Sequence, residues 1–263
     1  MPAVNYTHSE GVARITLNNP PQNRLTNDLI AGLGAAIQDL AGRSDTRVLL
    51  LNAEGPNFSY GGDITTWLDS TEESFSESIK AGLGLTGAFQ SLPFPVIVAV
   101  QGYCGGGGFE IALRGDVIVA ADDAKFCHSE ASISAFTFLG GVQRVAERVG
   151  RTRALQWALT AEQVGAQDAL HAGLINEVVP LSELSNAAER WLDRFKDSAT
   201  LSHAAHKTLL RAWSDGGVAA ADALMPSMAG KILMSADSQG CLPDAIEAVK
   251  AGASRPQFTF HGK

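Results

Sequence analysis

The chain has 263 residues, of which 45% are hydrophobic and 18% are charged, a composition typical of a globular protein rather than a disordered chain. Its formal net charge of −8 excludes a global positive field that would attract nucleic acid or an anionic membrane surface. Its three cysteines, Cys104, Cys127 and Cys241, lack C-x-x-C spacing, which argues against a disulfide scaffold and a cysteine-based zinc site.

The first half of the chain predicts strands that alternate with helices. Residues 1–10 are polar and no apolar run approaches the ~20 residues that span a bilayer, so we expect a cytoplasmic protein without a secretory leader. A short strand is predicted at 14–17, and apolar residues at helical spacing predict an amphipathic helix from Thr26. Buried strands are predicted from the continuous apolar runs at 48–51, 96–100 and 117–120. Strands separated by helices imply crossover connections and an α/β fold.

The second half is predicted to be mostly helical. A short strand is expected at 174–179, and helices are expected at 184–195, 201–213, 218–233 and 242–251. This pattern predicts a mixed core over residues 1–195 and a helical region over residues 196–263.

The most unusual stretch is PVIVAVQGYCGGGGFE at 95–110, where a predicted strand ends in four glycines and a helix begins with Glu110 close to its start. A flexible loop is the simplest interpretation of a glycine run. However, a loop between a buried strand and a helix cannot be slack, and the first N–H groups of a helix are free to donate to a ligand oxygen. The chain contains no phosphate-loop, G-x-S-x-G or H-E-x-x-H motif, which disfavours nucleotide phosphate loops, α/β-hydrolases and zincins.

A second glycine turn, FSYGGDI at 58–64, follows the strand predicted at 48–51. Alone, it fits an ordinary turn in which Asp63 caps a helix. Two such turns, each after a buried strand, can supply one N–H apiece to a single oxygen, which is the arrangement of an oxyanion hole.

Six segments in order resemble the crotonase superfamily, the enoyl-CoA hydratases and isomerases, over almost the whole chain. The matching segments are PPQNRL at 20–25, FSYGGDI at 58–64, PVIVAVQGYCGGGGFEIALRGD at 95–116, AKF at 124–126 leading to Glu130, GGVQR at 140–144 and LTAEQVGAQDALHAGLINEVV at 159–179. The resemblance implies a spiral of ββα units with a C-terminal helical region that mediates oligomerisation, in a homotrimer or a dimer of trimers.

The resemblance also implies the chemistry. The N–H groups of Gly62 and Gly107 are expected to hold the thioester oxygen of an acyl-CoA. Of Glu110 and Glu130, one is expected to act as the acid and the other as the base on an enolised thioester. Coenzyme A is then part of the substrate, and no further cofactor or metal is expected. For Glu110 the alternative is a favourable charge at a helix N-terminus, and for Glu130 a solvated loop acid. His128 is most simply interpreted as a satisfied structural donor.

Binding of coenzyme A is expected from the family's positions in two segments. The first contributes Asn23, Arg24 and Leu25, and the second contributes Gly61, Asp63 and Ile64. Arg24 is the best local candidate for a phosphate contact, with a solvated surface arginine as the alternative. Recognition mainly by the main chain would let an acidic protein bind a polyanion.

Several residues depart from the hydratase pattern. Ser129 replaces the usual proline before the second glutamate, Phe138 replaces a glycine, and Gly105 stands where relatives often carry a larger residue. Phe136 and Phe138 are therefore expected to reshape the acyl pocket. The resemblance favours an enoyl-CoA hydratase, and leaves open isomerisation, C–C hydrolysis or decarboxylation, and a non-catalytic acyl-CoA-binding subunit.

Overall fold

A computed structural model describes all residues, Met1–Lys263. The chain forms two sheets and nine α-helices. The strands are β1 (Val4–Ser9), β2 (Val12–Leu17), β3 (Val48–Ala53), β4 (Val96–Val100), β5 (Tyr103–Gly105), β6 (Val117–Ala121), β7 (Lys125–Cys127), β8 (Val164–Gly165) and β9 (Glu177–Val179). The helices are α1 (Asn27–Gly42), α2 (Glu72–Gln90), α3 (Gly107–Ala112), α4 (Gly141–Val149), α5 (Arg151–Thr160), α6 (Ala166–His171), α7 (Leu184–Lys196), α8 (Thr200–Leu233) and α9 (Ala236–Lys250).

The main sheet has six strands in the order β1-β2-β3-β4-β6-β9, and a small second sheet has the order β5-β7-β8. Only the β1–β2 pair of the main sheet is antiparallel. Parallel neighbours need crossover connections, and helices supply them here. The predicted α/β fold is confirmed.

Strands β3 and β4 are covered on both faces. Leu49 and Leu51 belong to the larger hydrophobic cluster, which contains the buried face of α1, whereas Val48 and Leu50 pack in a smaller cluster with residues of α7. Successive side chains of a strand point to opposite faces, so a strand between two helical layers must be apolar at every position. This explains the continuous apolar runs from which these strands were predicted.

Strand β1 and the first turns of α2 lie in polar stretches of the sequence, whereas the rest of α2, up to Gln90, lies where a helical segment is predicted. Strand β1 pairs with β2 at the sheet edge and alternates buried or half-buried with exposed side chains, so its hydropathy signal is weak. Helix α2 begins at Glu72, where Thr71 forms a capping box with Ser74, and it buries only Thr86 and Phe89.

The C-terminal region is helical as expected. Helix α8 is interrupted at Gly216 and Gly217, which matches the two separate helices predicted on either side. Thr200 is the only buried residue of α8, and α9 has none. None of the helices combines the length and the hydropathy needed to cross a bilayer.

Candidate active site

The two glycine turns meet at one edge of the main sheet. Because β3 and β4 are parallel neighbours, the segments that follow them leave at the same end. There the Phe58 N–H donates to the Gln101 carbonyl at 2.9 Å, and the Gly105 N–H donates to the Ser59 carbonyl at 2.9 Å. Main-chain hydrogen bonds therefore lock one turn against the other.

The close approach explains the glycine at position 61. Its φ is +83°, a left-handed conformation that disfavours a side chain, and a Cβ there would lie 2.8 Å from both the Gly107 nitrogen and the Gly105 oxygen. Ser59 fixes the turn, because its Oγ accepts from the Gly61 N–H at 3.1 Å and donates to the Asn23 carbonyl at 2.7 Å.

Gly62 and Gly107 lie together in the wall of a cavity of about 630 Å³. A Cβ built on Gly107 would lie 3.7 Å from the Gly62 nitrogen. The Gly62 N–H makes no hydrogen bond, and the Gly107 N–H begins α3, where the helix offers it no acceptor. Two unpaired donors in one cavity wall are what an oxyanion hole needs.

Glu110 is a buried carboxyl in the same cavity, only 2% exposed. Its Oε1 accepts hydrogen bonds from the N–H groups of Leu139 at 2.9 Å and Gly141 at 2.8 Å. Burial raises the pKa of Glu110 to about 7, and the nearby Glu130 carboxyl adds to the rise, while the two N–H donors and Arg114 oppose it. Such burial argues against a solvated carboxylate that merely complements the helix dipole.

Glu130 lines the cavity from the segment after β7 and is 7% exposed. Neither of its carboxyl oxygens has a hydrogen-bond partner. Burial raises its pKa. A buried carboxyl without a partner is costly to the fold, and such groups are concentrated at functional sites. The solvated loop acid considered from the sequence is therefore wrong.

His128 is also not the satisfied donor expected from the sequence. It is 1% exposed, and neither ring nitrogen has a hydrogen-bond partner. Its ring packs on Phe109, with 4.9 Å between the centroids. Burial lowers the pKa of His128 to about 4, so the imidazole is neutral at neutral pH.

The predicted coenzyme A residues divide into two groups. Arg24, Leu25, Asp63 and Ile64 line the cavity. The Arg24 guanidinium donates to Gln22 Oε1 at 2.8 Å and to the Gly62 carbonyl at 3.3 Å. Asp63 accepts from the Thr65 N–H at 3.3 Å, which is the capping role considered from the sequence.

Asn23 and Gly61 lie behind the cavity wall. Asn23 is fully buried, and its side-chain amide donates to the carbonyls of Glu54 at 2.9 Å and Asn57 at 2.8 Å. In this structure Asn23 holds together the loops that carry the site. Gly61 brings the two turns close to each other rather than lining the cavity.

The two phenylalanines that depart from the hydratase pattern lie on different sides of the cavity wall. Phe138 lines the cavity, but Phe136 lies outside it and is 70% exposed. Gly105 makes room for a neighbour, because a Cβ there would lie 2.4 Å from the ring of Tyr103, which lines the cavity. Trp67 and Phe75, which also line the cavity, were missed because they lie in a stretch that is otherwise polar.

No group of three or more His, Cys, Asp or Glu side chains is arranged to hold a metal ion. The site offers instead two main-chain donors and two buried carboxyls around one cavity. This set can stabilise negative charge on a carbonyl oxygen and transfer protons next to it.

Comparison with known proteins agrees with this chemistry. The sequence model of the enoyl-CoA hydratase/isomerase family matches residues 7–250. A carnitinyl-CoA dehydratase of Salmonella paratyphi A is 31% identical over 214 residues, which cover 81% of this chain and 82% of that protein. A glyoxysomal fatty acid beta-oxidation multifunctional protein of Brassica napus is 32% identical over 186 residues, or 70% of this chain, but the match spans only 26% of that longer protein.

Solved structures support the fold. The crystal structure of an enoyl-CoA hydratase from Geobacillus kaustophilus has a TM-score of 0.90 at 23% identity, covering 100% of this chain and 98% of that one. A putative enoyl-CoA hydratase from Streptomyces coelicolor also has a TM-score of 0.90, at 26% identity, covering 99% of this chain and 94% of that one. The chain therefore belongs to the enoyl-CoA hydratase/isomerase family, the crotonase superfamily, whose enzymes act on CoA thioesters.

Proposed function

We propose that this protein is an enoyl-CoA hydratase that adds water across the double bond of a 2-enoyl-CoA. The observation that carries the proposal is the pairing of two unpaired amides with two buried carboxyls in one cavity. The N–H groups of Gly62 and Gly107 stabilise the oxygen of the thioester enolate. Oxyanion donors of this kind are each worth about 3 kcal/mol of the barrier.

The hydrogen bonds of the two carboxyls divide their roles. Two N–H groups donate to Glu110 Oε1 and favour its charged form, so Glu110 is the base that takes a proton from the attacking water. Burial raises the pKa of both carboxyls, but Glu130 has no donor to stabilise its charged form, so it is the acid that protonates the α carbon. The oxygen of water bonds to the β carbon as the double bond gives way, leaving Glu110 protonated and Glu130 ionised. Glu110 then releases its proton to solvent and Glu130 takes one up, which restores both groups for the next turnover.

The test is Glu130→Gln, which keeps the shape of the side chain and removes the acid. We expect hydration of a short 2-enoyl-CoA to fall by about 10²–10⁴-fold, while the dissociation constant of the saturated acyl-CoA changes only a few-fold. Glu77→Gln, on the exposed face of α2, is the matched control and leaves turnover unchanged. Unchanged turnover of Glu130→Gln would refute the assigned role.

A different reaction of the same thioester enolate is the second candidate. Phe138 in the cavity wall favours it, because this ring narrows the space where hydratases of the family usually carry a glycine. Incubation with a panel of acyl-CoAs, followed by mass spectrometry of the products, separates the reactions. Hydration, C–C hydrolysis and decarboxylation each change the mass, whereas isomerisation changes only the position of the double bond. Binding across the panel without turnover would identify a non-catalytic acyl-CoA-binding subunit.

We also propose that residues 196–263 form the oligomerisation region of a cytoplasmic homotrimer or dimer of trimers. Large apolar side chains are exposed along α8 and α9, among them Trp213, Val218 and Val249. Exposed apolar surface on this scale favours a subunit interface. Mass photometry that finds only monomers would contradict this proposal.

A further inference from the structure

Three aromatic rings close one end of the active-site cavity. Trp67, Phe75 and Phe138 each contact the other two edge to face, with centroids 5.3 Å apart for Trp67–Phe75, 5.8 Å for Trp67–Phe138 and 5.2 Å for Phe75–Phe138. Edge-to-face contact is a preferred geometry for aromatic pairs. Because each ring contacts the other two, the three rings pack together between the active-site cavity and its surroundings. We call these three residues the aromatic wall.

The aromatic wall begins beside the proposed oxyanion hole. A Cβ built on Gly62 would lie 2.9 Å from Trp67 Cζ2, so the indole covers the residue whose N–H is assigned to the thioester oxygen. An acyl chain that runs from that thioester towards Phe138 therefore meets the aromatic wall.

A second cavity lies on the other side of the same rings. This outer groove, of about 440 Å³, is lined by all three residues of the aromatic wall, and by Ile133 and Phe136. The Phe136 ring packs on Phe138, with centroids 4.7 Å apart, and both Phe136 and Ile133 are half or more exposed. The groove thus presents apolar surface to solvent directly behind the ring that closes the reaction cavity.

We infer that the aromatic wall determines the length of the acyl chain that this enzyme accepts, with Phe138 as the principal determinant. The inference rests on the proposed function, because it assumes a CoA thioester held at Gly62. In the native protein the acyl group ends at the aromatic wall, so short acyl groups are favoured. Removal of the Phe138 ring joins the cavity to the outer groove, which then binds the distal part of a long alkyl chain.

The test measures binding of saturated acyl-CoAs, which cannot be hydrated, from butanoyl-CoA to hexadecanoyl-CoA by calorimetry. For the native protein we expect no gain in affinity beyond the short chains. For Phe138→Ala we expect hexadecanoyl-CoA to bind at least about tenfold more tightly relative to butanoyl-CoA than in the native protein, since each methylene that enters an apolar groove adds affinity. Leu68→Ala is the matched control: this exposed neighbour of Trp67 lines neither cavity, so its length profile stays native.

A second variant covers the case in which Phe138→Ala does not fold. Phe75→Leu opens the aromatic wall from α2 and is expected to shift the profile towards longer chains in the same direction. The inference is overturned if native protein already favours hexadecanoyl-CoA, if both wall variants keep the native profile, or if Leu68→Ala shifts it equally. These outcomes leave the proposed function intact, whereas failure of every acyl-CoA to bind overturns the proposed function and the inference together.

Discussion

The region at the start of α3, which carries Glu110, is tied to its surroundings by hydrogen bonds, whereas the segment that carries His128 and Glu130 leaves polar atoms unpaired. Glu110 accepts two main-chain N–H groups, but the Glu130 oxygens and both His128 nitrogens have no partner. The two carboxyls line one cavity and both are buried. The difference teaches that the Glu110 carboxyl contributes hydrogen bonds to the fold, whereas the segment of His128 and Glu130 keeps buried polar groups at a cost in stability, which is typical of functional sites.

The largest effect is expected from truncating the two carboxyls and comparing stability. Glu110→Ala leaves the N–H groups of Leu139 and Gly141 buried without an acceptor, which lowers the free energy of unfolding by about 2–6 kcal/mol. Glu130→Ala removes a buried group that has no partner, so the free energy of unfolding stays the same or rises. Urea denaturation without ligand measures both, and equal losses would contradict the comparison.

The next largest effect is expected from adding one methyl group to the turn at Gly61, which packs against the start of α3. Gly61→Ala introduces a Cβ that must push the Gly105–Gly107 main chain aside, and we expect turnover to fall by about 10²–10³-fold, as on loss of an oxyanion donor. Gly87→Ala in α2 is the control, because a Cβ there meets nothing within 4 Å. Steady-state kinetics with an enoyl-CoA gives both values, and a Gly61→Ala enzyme with native turnover would break the link between this turn and catalysis.

A smaller effect is expected in the pH dependence of stability. The pKa of Glu110 rises from the ordinary 4.5 to about 7 on folding, so between these values the folded protein binds more protons than the unfolded chain. Its contribution to stability is therefore present below about pH 4.5 and is lost as the pH rises towards 7, by up to about 3 kcal/mol. Buried His128, whose pKa is lowered to about 4, acts in the opposite sense over part of this range, so the measurement is the difference between the native protein and Glu110→Gln. Relative to the variant, the urea midpoint of the native protein should fall as the pH rises towards 7. A difference between the two proteins that does not change with pH would assign the titration elsewhere.

The smallest effect lies outside both regions. Arg24 lines the cavity mouth and donates only to neutral oxygens, so its charge is available to a phosphate. Arg24→Gln is expected to weaken acyl-CoA binding only about fivefold, and less at high salt, because a partly exposed cation is screened. Arg43→Gln, whose partner is Asp45, is the charge-matched control in the same titration. A loss of Arg24→Gln affinity no larger than that of the control would make Arg24 an ordinary surface arginine.

Much of the fold could be predicted from local pattern. Strands β3, β4 and β6 are continuous apolar runs because both faces of the sheet are covered, so that every position of these strands needs an apolar side chain. The turns that carry Gly62 and Gly107 could be singled out because each follows a predicted buried strand, and because four consecutive glycines cost conformational entropy and need a reason. Strand β1 and the first turns of α2 could not, since an exposed element buries too few side chains to leave a periodic signal.

The sequence alone determined the family, the parallel core and the residue types of the site, because these depend on neighbours in the chain and on motifs at fixed spacing. Only the tertiary structure decided which groups meet. It paired Glu110 with the N–H groups of Leu139 and Gly141, left Glu130 and His128 without partners, and placed Phe138 in the cavity lining with Phe136 outside it. The hydrogen-bond partner of a group, its burial and its place in or behind the cavity wall all depend on contacts between segments that are distant in sequence. A local sequence pattern carries no information about those contacts.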